Sequence, residues 1–148
     1  MNVEKIIKTK KEIPIETKTI IHLSLVNSKL NDAMTQALKP FDVSLQQFNV
    51  LRILRGQKGS PANLSTLNER MVTKMSNTTR LVDKLLLKGF VKRQICPSNR
   101  RKIEINITSE GEQSLKEMDK AIELAEAEVL VGFTHQDLEE LNTLLDKF

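Results

Sequence analysis

The side chains best equipped for chemistry in this sequence lie between positions 73 and 102, and they are cations, amides and hydroxyls rather than nucleophiles or acids. Stepping about 100° per residue along positions 75–88 gathers Asn77, Arg80, Lys84 and Lys88 within about 80° of arc. Met75, Thr78, Leu81, Val82, Leu85 and Leu86 fall on the other side, so one face is apolar and the other cationic. A guanidinium fork matches the edge of guanine and a carboxamide matches adenine. Ser76, Asn77 and Arg80, near the start of this helix, are therefore candidates for reading bases. Thr73, Lys74, Thr79, Lys84 and Lys88 are candidates for holding phosphates, which set register without reading sequence. Arg100, Arg101 and Lys102 follow at the tip of a predicted hairpin, where they can enter a minor groove or clamp the backbone. The bland alternative is a solvated helical face and a hydrophilic turn.

Catalysis is poorly served by comparison. With two histidines, His22 and His135, and one cysteine, Cys96, the chain can hardly assemble a nucleophile, a base and an orienting group. It has no glycine-rich phosphate loop, and the acidic residues of 110–128 alternate along a helical face as solvating charges do. A structural zinc site wants about four ligands at compact spacing, and no Cys/His cluster provides them. An enzyme is not expected, nor a metal or cofactor. Cys96 ends a predicted strand near Lys92, Arg93 and Arg100, and cations favour the reactive thiolate. A lone strand cysteine is more often a small apolar filler.

The elements that must position the cationic face can be read from periodicity and caps. Residues 1–14 read as a polar arm closed by Pro14. A helix over about 16–39 carries Ile20, Leu23, Asn27, Leu30, Met34, Ala37 and Phe41 at alternating spacings of three and four. Ser44 with Gln47 forms a capping box for a second helix that turns Phe48, Leu51 and Leu54 inward. Glycines and Pro61 end it over 56–61, and Asn63 caps a short helix at about 64–69. After a turn at 71–74 comes the cationic helix, which Gly89 ends as a left-handed residue. Residues 90–95 and 102–107, separated by a break at 97–99, read as two strands; the second alternates with a period of two. Ser109 with Glu112 offers a capping box for a long helix reaching Val131, with Leu115, Met118, Ile122, Ala125 and Val129 as its stripe. Gly132 breaks it, and Thr134 caps a last helix whose apolar side is Leu138, Leu141, Leu144, Leu145 and Phe148.

The 148 residues suffice for one core, and 28% charged with 39% apolar residues is ordinary for a folded protein. No apolar run approaches the roughly 18 residues of a membrane span, and the N-terminal stretch lacks the apolar core of a signal peptide. A cytoplasmic location, without membrane contact, is expected. The net charge of +4 conceals a segregation. Residues 71–102 hold nine basic groups and one acidic, whereas residues 103–148 hold three basic and twelve acidic. One cationic surface beside an acidic flank is the footprint of a nucleic-acid binder.

A helix, two strands and a basic tip in that order, preceded by a supporting helix, make a winged helix-turn-helix. The residues also resemble the MarR-type transcriptional regulators. The matching pieces are Val43-Ser44-Leu45-Gln46-Gln47-Phe48 and its continuation to Arg52, Thr79-Arg80-Leu81-Val82-Asp83-Lys84-Leu85 with Lys88-Gly89-Phe90-Val91-Lys92-Arg93, then Asn99-Arg100-Arg101, and Ile107-Thr108-Ser109-Glu110-Gly111. They span 43–111 in family order, so the set is specific although each piece alone is weak. Asn99 stands where the family usually has an Asp that steadies a wing arginine.

The expected fold is mainly α with a small β-hairpin wing. A winged helix-turn-helix DNA-binding domain occupies 42–108, and a helical dimerisation region is assembled from both termini, 15–41 and 109–148. Ile20, Leu23, Leu30, Leu115, Met118, Ile122, Leu141 and Leu145 are its candidate contacts. The resemblance implies a homodimeric regulator, most often a repressor, on a pseudo-palindromic double-stranded operator. It further implies a cleft for a small, often aromatic or anionic, effector; in some relatives a reactive cysteine senses oxidants. The alternative is a winged-helix module whose basic face meets an acidic protein.

Overall fold

The computed structural model describes residues 1–72, 77–96 and 99–148, with the backbone alone at 100–102. The expected turn at 73–74, the start of the cationic helix at 75–76, and the side chains of Arg100, Arg101 and Lys102 lie outside the described residues. Two compact units emerge: a central one, residues 34–122, and a terminal one, residues 1–33 with 123–148.

The central unit is built on a closed core. The long helix α2, Ile15–Leu38, ends in it and passes into a 3-10 turn at Lys39–Phe41. Helix α3, Leu45–Gly56, begins with the expected capping box: Ser44 Oγ accepts from the Gln47 amide, and Gln47 Oε1 accepts from the Ser44 amide at 2.8 Å. Its Phe48, Leu51 and Leu54 are buried as their spacing predicts. Helix α4, Leu64–Arg70, is capped by Asn63, whose Oδ1 accepts from the Thr66 amide. Helix α5, Thr78–Leu87, buries Thr78, Val82 and Leu85. Each fully buried aliphatic side chain contributes about 1.5–3 kcal/mol, and this ridge therefore sets which face of α5 stays outside.

Gly89 ends α5 in the left-handed region, at φ +72. The Gly89 amide donates to Leu86 and the Phe90 amide to Leu85, the paired bonds of a Schellman ending. The chain then enters an antiparallel hairpin of β1, Val91–Cys96, and β2, Asn99–Ile107. Val91 faces Ile107 and Ile95 faces Ile103, and a register shift at Ile95/Cys96 brings Cys96 opposite Asn99. The second strand thus begins at Asn99, three residues before its period-two pattern. The hairpin is anchored by a single-residue bridge that the sequence did not reveal, in which Ala62 and Ile105 exchange backbone hydrogen bonds of 2.9 and 2.7 Å. One residue is too short to show a period.

Helix α6, Ser109–Val129, starts from a different cap than expected. Ser109 is already helical, and Thr108 does the capping: its Oγ1 accepts from the Gly111 amide at 3.0 Å and donates to the Gly89 carbonyl at 2.7 Å. One hydroxyl therefore ties the end of α5 to the start of α6. Gly111 fits this junction because a Cβ there would collide with the Phe90 carbonyl oxygen.

Leu115, Met118 and Ile122, expected at a subunit contact, are buried in this chain's own core with Leu38, Phe48 and Ile105. The heptad-like spacing reports a face removed from water; it does not report what covers it. For the same reason the core draws on Leu38 and on α6 as well as on residues 42–108.

The terminal unit is different in kind. The polar arm contains a helical turn, α1, Val3–Ile6, capped by Asn2, with Val3 fully buried and Glu4 paired to Lys18 at 2.8 Å. Helix α7, His135–Leu145, is capped by Thr134 as expected, with Asp137 completing a capping box, but buries none of its residues. Leu144, Phe148, Val131 and Ile20 are exposed.

Candidate nucleic-acid interface

The cationic helix α5 is held from three sides. The Thr78 hydroxyl donates to Asn68 Oδ1 on α4, fixing the two helices of the helix-turn-helix against each other. Asp83 on α5 meets Arg93 on β1 at 3.2 Å, and Lys88, just past the end of α5, meets Asp42 at 2.6 Å. Packing of Val82 and Leu85 supplies the third constraint.

Those constraints sort the candidate residues. Asn77 is the N-cap residue of α5 rather than part of its first turn, and its side chain does not cap the helix. Thr79, Arg80 and Lys84 are exposed, and Asn77, Arg80 and Lys84 line one groove along α5. These are the described candidates that the fold brings together. Lys88 is drawn away from them by Asp42. That ammonium holds the Asp42 carboxyl below the usual aspartate range, first by its hydrogen bond and then by its charge, with Lys84 adding to the field. Asp42 carries no helical or strand pattern that would have announced it; its backbone sits in the left-handed region at φ 50. Leu87 was also unforeseen, standing 89% exposed beside the cationic arc.

Cys96 is buried at the end of β1, as an apolar filler would be. Arg93, one of the cations expected to act on it, pairs with Asp83. His22 is half-buried on α2, and His135 on α7 is exposed near Glu139. Among the described residues no three His, Cys, Asp or Glu side chains form a metal-sized cluster, and no helix is long and apolar enough to cross a membrane.

A cationic helix over a supporting helix and a hairpin leading away from its end can lie in a major groove with the hairpin along the neighbouring backbone. Comparison with known proteins agrees with that geometry. The model of the MarR family matches residues 43–103. A MarR-like transcription regulator from Bacillus cereus is 25% identical and superposes with a TM-score of 0.79 over 88% of this chain and 92% of its own. A MarR-family transcriptional regulator from Rhodococcus superposes at 0.77, with 22% identity, over 90% of this chain and 94% of its own. A mutant MarR from E. coli complexed with operator DNA superposes at 0.76, with 23% identity, over 99% of this chain and 98% of its own. Residues 43–103 thus match the MarR family model, and nearly the whole chain shares the winged helix-turn-helix fold of these MarR-type regulators.

Proposed function

We propose that this chain is a MarR-type transcription regulator that binds double-stranded DNA as a homodimer and acts as a repressor, one α5 per half-site of a pseudo-palindromic operator, and that a small-molecule effector releases it. The observation that carries the reading is the exposed face of α5, where Arg80 and Lys84 share a groove with Asn77 above a helix fixed by Asn68–Thr78 and Asp83–Arg93. Arg80 and Asn77 read base edges, while Thr79 and Lys84 take phosphates; Ser76, Thr73, Lys74 and the wing cations Arg100, Arg101 and Lys102 extend the same roles. Two-fold symmetry sets the half-sites about one helical turn, roughly 10 bp, apart. The exposed apolar side chains of the terminal unit, Ile20, Leu141 and Leu145 among them, supply a reason to pair. An effector acts by binding better to the dimer whose α5 helices are misplaced for successive grooves, because only differential affinity shifts an equilibrium. A cytoplasmic location suits this role.

Selection of bound sequences from a random duplex pool tests function, symmetry and spacing together. An enriched inverted repeat is the expected result. Arg80→Ala should cost about 1–3 kcal/mol of binding and relax the preference at one base pair per half-site. Affinity for random duplex should fall with salt along a slope set by several phosphates. A salt-insensitive or undetectable interaction would favour an acidic protein partner instead.

A further inference from the structure

The outer end of the wing carries an apolar pair that the core does not use. Val91 faces Ile107, Arg93 faces Ile105 and Ile95 faces Ile103, so these six side chains share one face of the hairpin. Its inner rungs are closed, with Val91 buried and Ile105 at 0% exposure. The outer rung is open: Ile95 is 64% and Ile103 39% exposed.

The middle rung shows where this face looks. Arg93 reaches Asp83 on α5 at 3.2 Å, and Asp83 borders the groove that Asn77, Arg80 and Lys84 line. Ile95 and Ile103 extend, two residues farther out, the face that abuts the cationic flank of α5.

The surroundings select the kind of partner. Residues 77–104 hold eight basic groups and two acidic ones. Both carboxylates are engaged, Asp83 by Arg93 and Glu104 by the Gln94 side-chain amide at 3.1 Å. An apolar pair set among cations suits a polyanion that also offers carbon surface. Duplex DNA offers it at the deoxyriboses that wall the minor groove between the phosphates.

We infer that Ile95 and Ile103 form an apolar seat for deoxyribose in the minor groove flanking the α5 half-site. The seat gives the wing a share of affinity that salt does not screen, and a preference for sugars without a 2′-hydroxyl. It rests on the DNA-binding reading above and adds to it a contact that carries no charge. Cations that hold phosphates do not make this distinction, whereas a 2′-hydroxyl pressed onto two isoleucines loses its water and gains no hydrogen bond.

The test uses the full chain and, as a labelled duplex, the inverted repeat enriched by the selection described above, titrated over a range of salt. Ile95→Thr with Ile103→Thr keeps β-branched side chains suited to strands. It should weaken binding about tenfold at every salt concentration, with the slope against salt unchanged. Ile95→Val with Ile103→Val keeps the apolar surface and should stay within about threefold of the wild type. Backbone amide spectra of β1 and β2 verify the hairpin in both variants. Single ribonucleotides placed one at a time in the flanks should weaken the wild type where the wing lies, and those losses should vanish in the threonine variant.

Equal affinity of wild type and threonine variant, a changed salt slope, or ribonucleotide losses that persist in the variant would overturn the seat. So would a variant that alters self-association in sedimentation without DNA while its DNA affinity holds, because the pair would then contact another copy of the chain. A wild type without salt-dependent DNA binding sinks the DNA-binding reading itself; a wild type that binds beside an indifferent variant sinks this inference alone.

Discussion

The central and terminal units are written in the same helical alphabet and end differently. In residues 34–122 the apolar stripes close on one another: Phe48, Leu51, Leu85, Ile105, Leu115 and Met118 are all at most 2% exposed. In residues 1–33 and 123–148 the stripes stay open, with Leu144 at 57%, Val131 at 78% and Phe148 at 86%. The contrast runs within single helices. On α2, Leu38 is fully buried while Ile20 is 58% exposed; α6 buries Leu115 and leaves Leu124 outside. Spacing of three and four thus states that a face prefers to leave water, and the partner that grants it is a separate matter. The central unit closes its main stripes on one another; the terminal unit leaves much of its apolar surface in water.

The largest expected effect tests that division at its buried side. Leu115→Ala should destabilise the chain by about 2–5 kcal/mol, as a core truncation does, whereas Leu144→Ala should cost well under half as much in a chain kept dilute. Urea unfolding of the two variants measures both, and equal losses would erase the contrast.

Gly111→Ala comes next, because the new methyl meets the Phe90 carbonyl oxygen, a backbone atom that cannot turn aside. A loss of about 1–3 kcal/mol is expected despite alanine's better helix propensity. Gly132→Ala, in the terminal unit, sits at positive φ, unlike Gly111, but meets nothing within 4 Å, and should lose only about 1 kcal/mol. A thermal melt that ranks them the other way would show that strain at α6 is not where the fold is tight.

Leu141→Ser with Leu145→Ser should leave the unfolding of the central unit nearly unchanged and raise the dissociation constant of the proposed homodimer about tenfold or more, each 1.4 kcal/mol being a factor of ten. Sedimentation over a dilution series reads it directly. An unaltered association would move the subunit contact elsewhere and leave the open stripes unexplained.

The smallest effect is on pH. Glu4 and Asp137 in the terminal unit are both held below their ordinary values, chiefly by hydrogen bonds from Lys18 and Thr134 respectively. A depressed carboxyl contributes stability above its unfolded value, near 4.5 for Glu4 and 3.8 for Asp137, and loses it as pH falls through the lower folded value. Amide protection factors, corrected for the slower intrinsic exchange in acid, should therefore fall in the first turns of α1 and α7 before they fall in the Phe48–Leu54 stretch of α3. Simultaneous loss would mean that the two units open as one.

Much of the architecture was legible from short-range signals. Ser44, Asn63 and Thr134 announced their helices because a cap is settled within four residues, and Gly89 announced the end of α5 because only its own backbone is involved. The hairpin was legible from its alternation. What escaped were the links between segments distant in sequence: the Ala62–Ile105 bridge, Asn68 with Thr78, Asp42 with Lys88, and Thr108 in place of Ser109 as the cap. On the candidate interface, Arg80 and Lys84 could be placed by pitch alone, while the diversion of Lys88 could not.

By itself, then, the amino-acid order determined the long helices, the caps at Ser44, Asn63 and Thr134, the cationic stripe at 77–88 and the two-strand wing, since each depends on torsions and spacings within a few residues. Only the folded chain decided which apolar stripes meet each other, which lysine is claimed by a carboxylate 46 positions away, and where Gln47 is buried with its amide unused. Those outcomes depend on which distant surfaces exclude water together, and no local pattern records that.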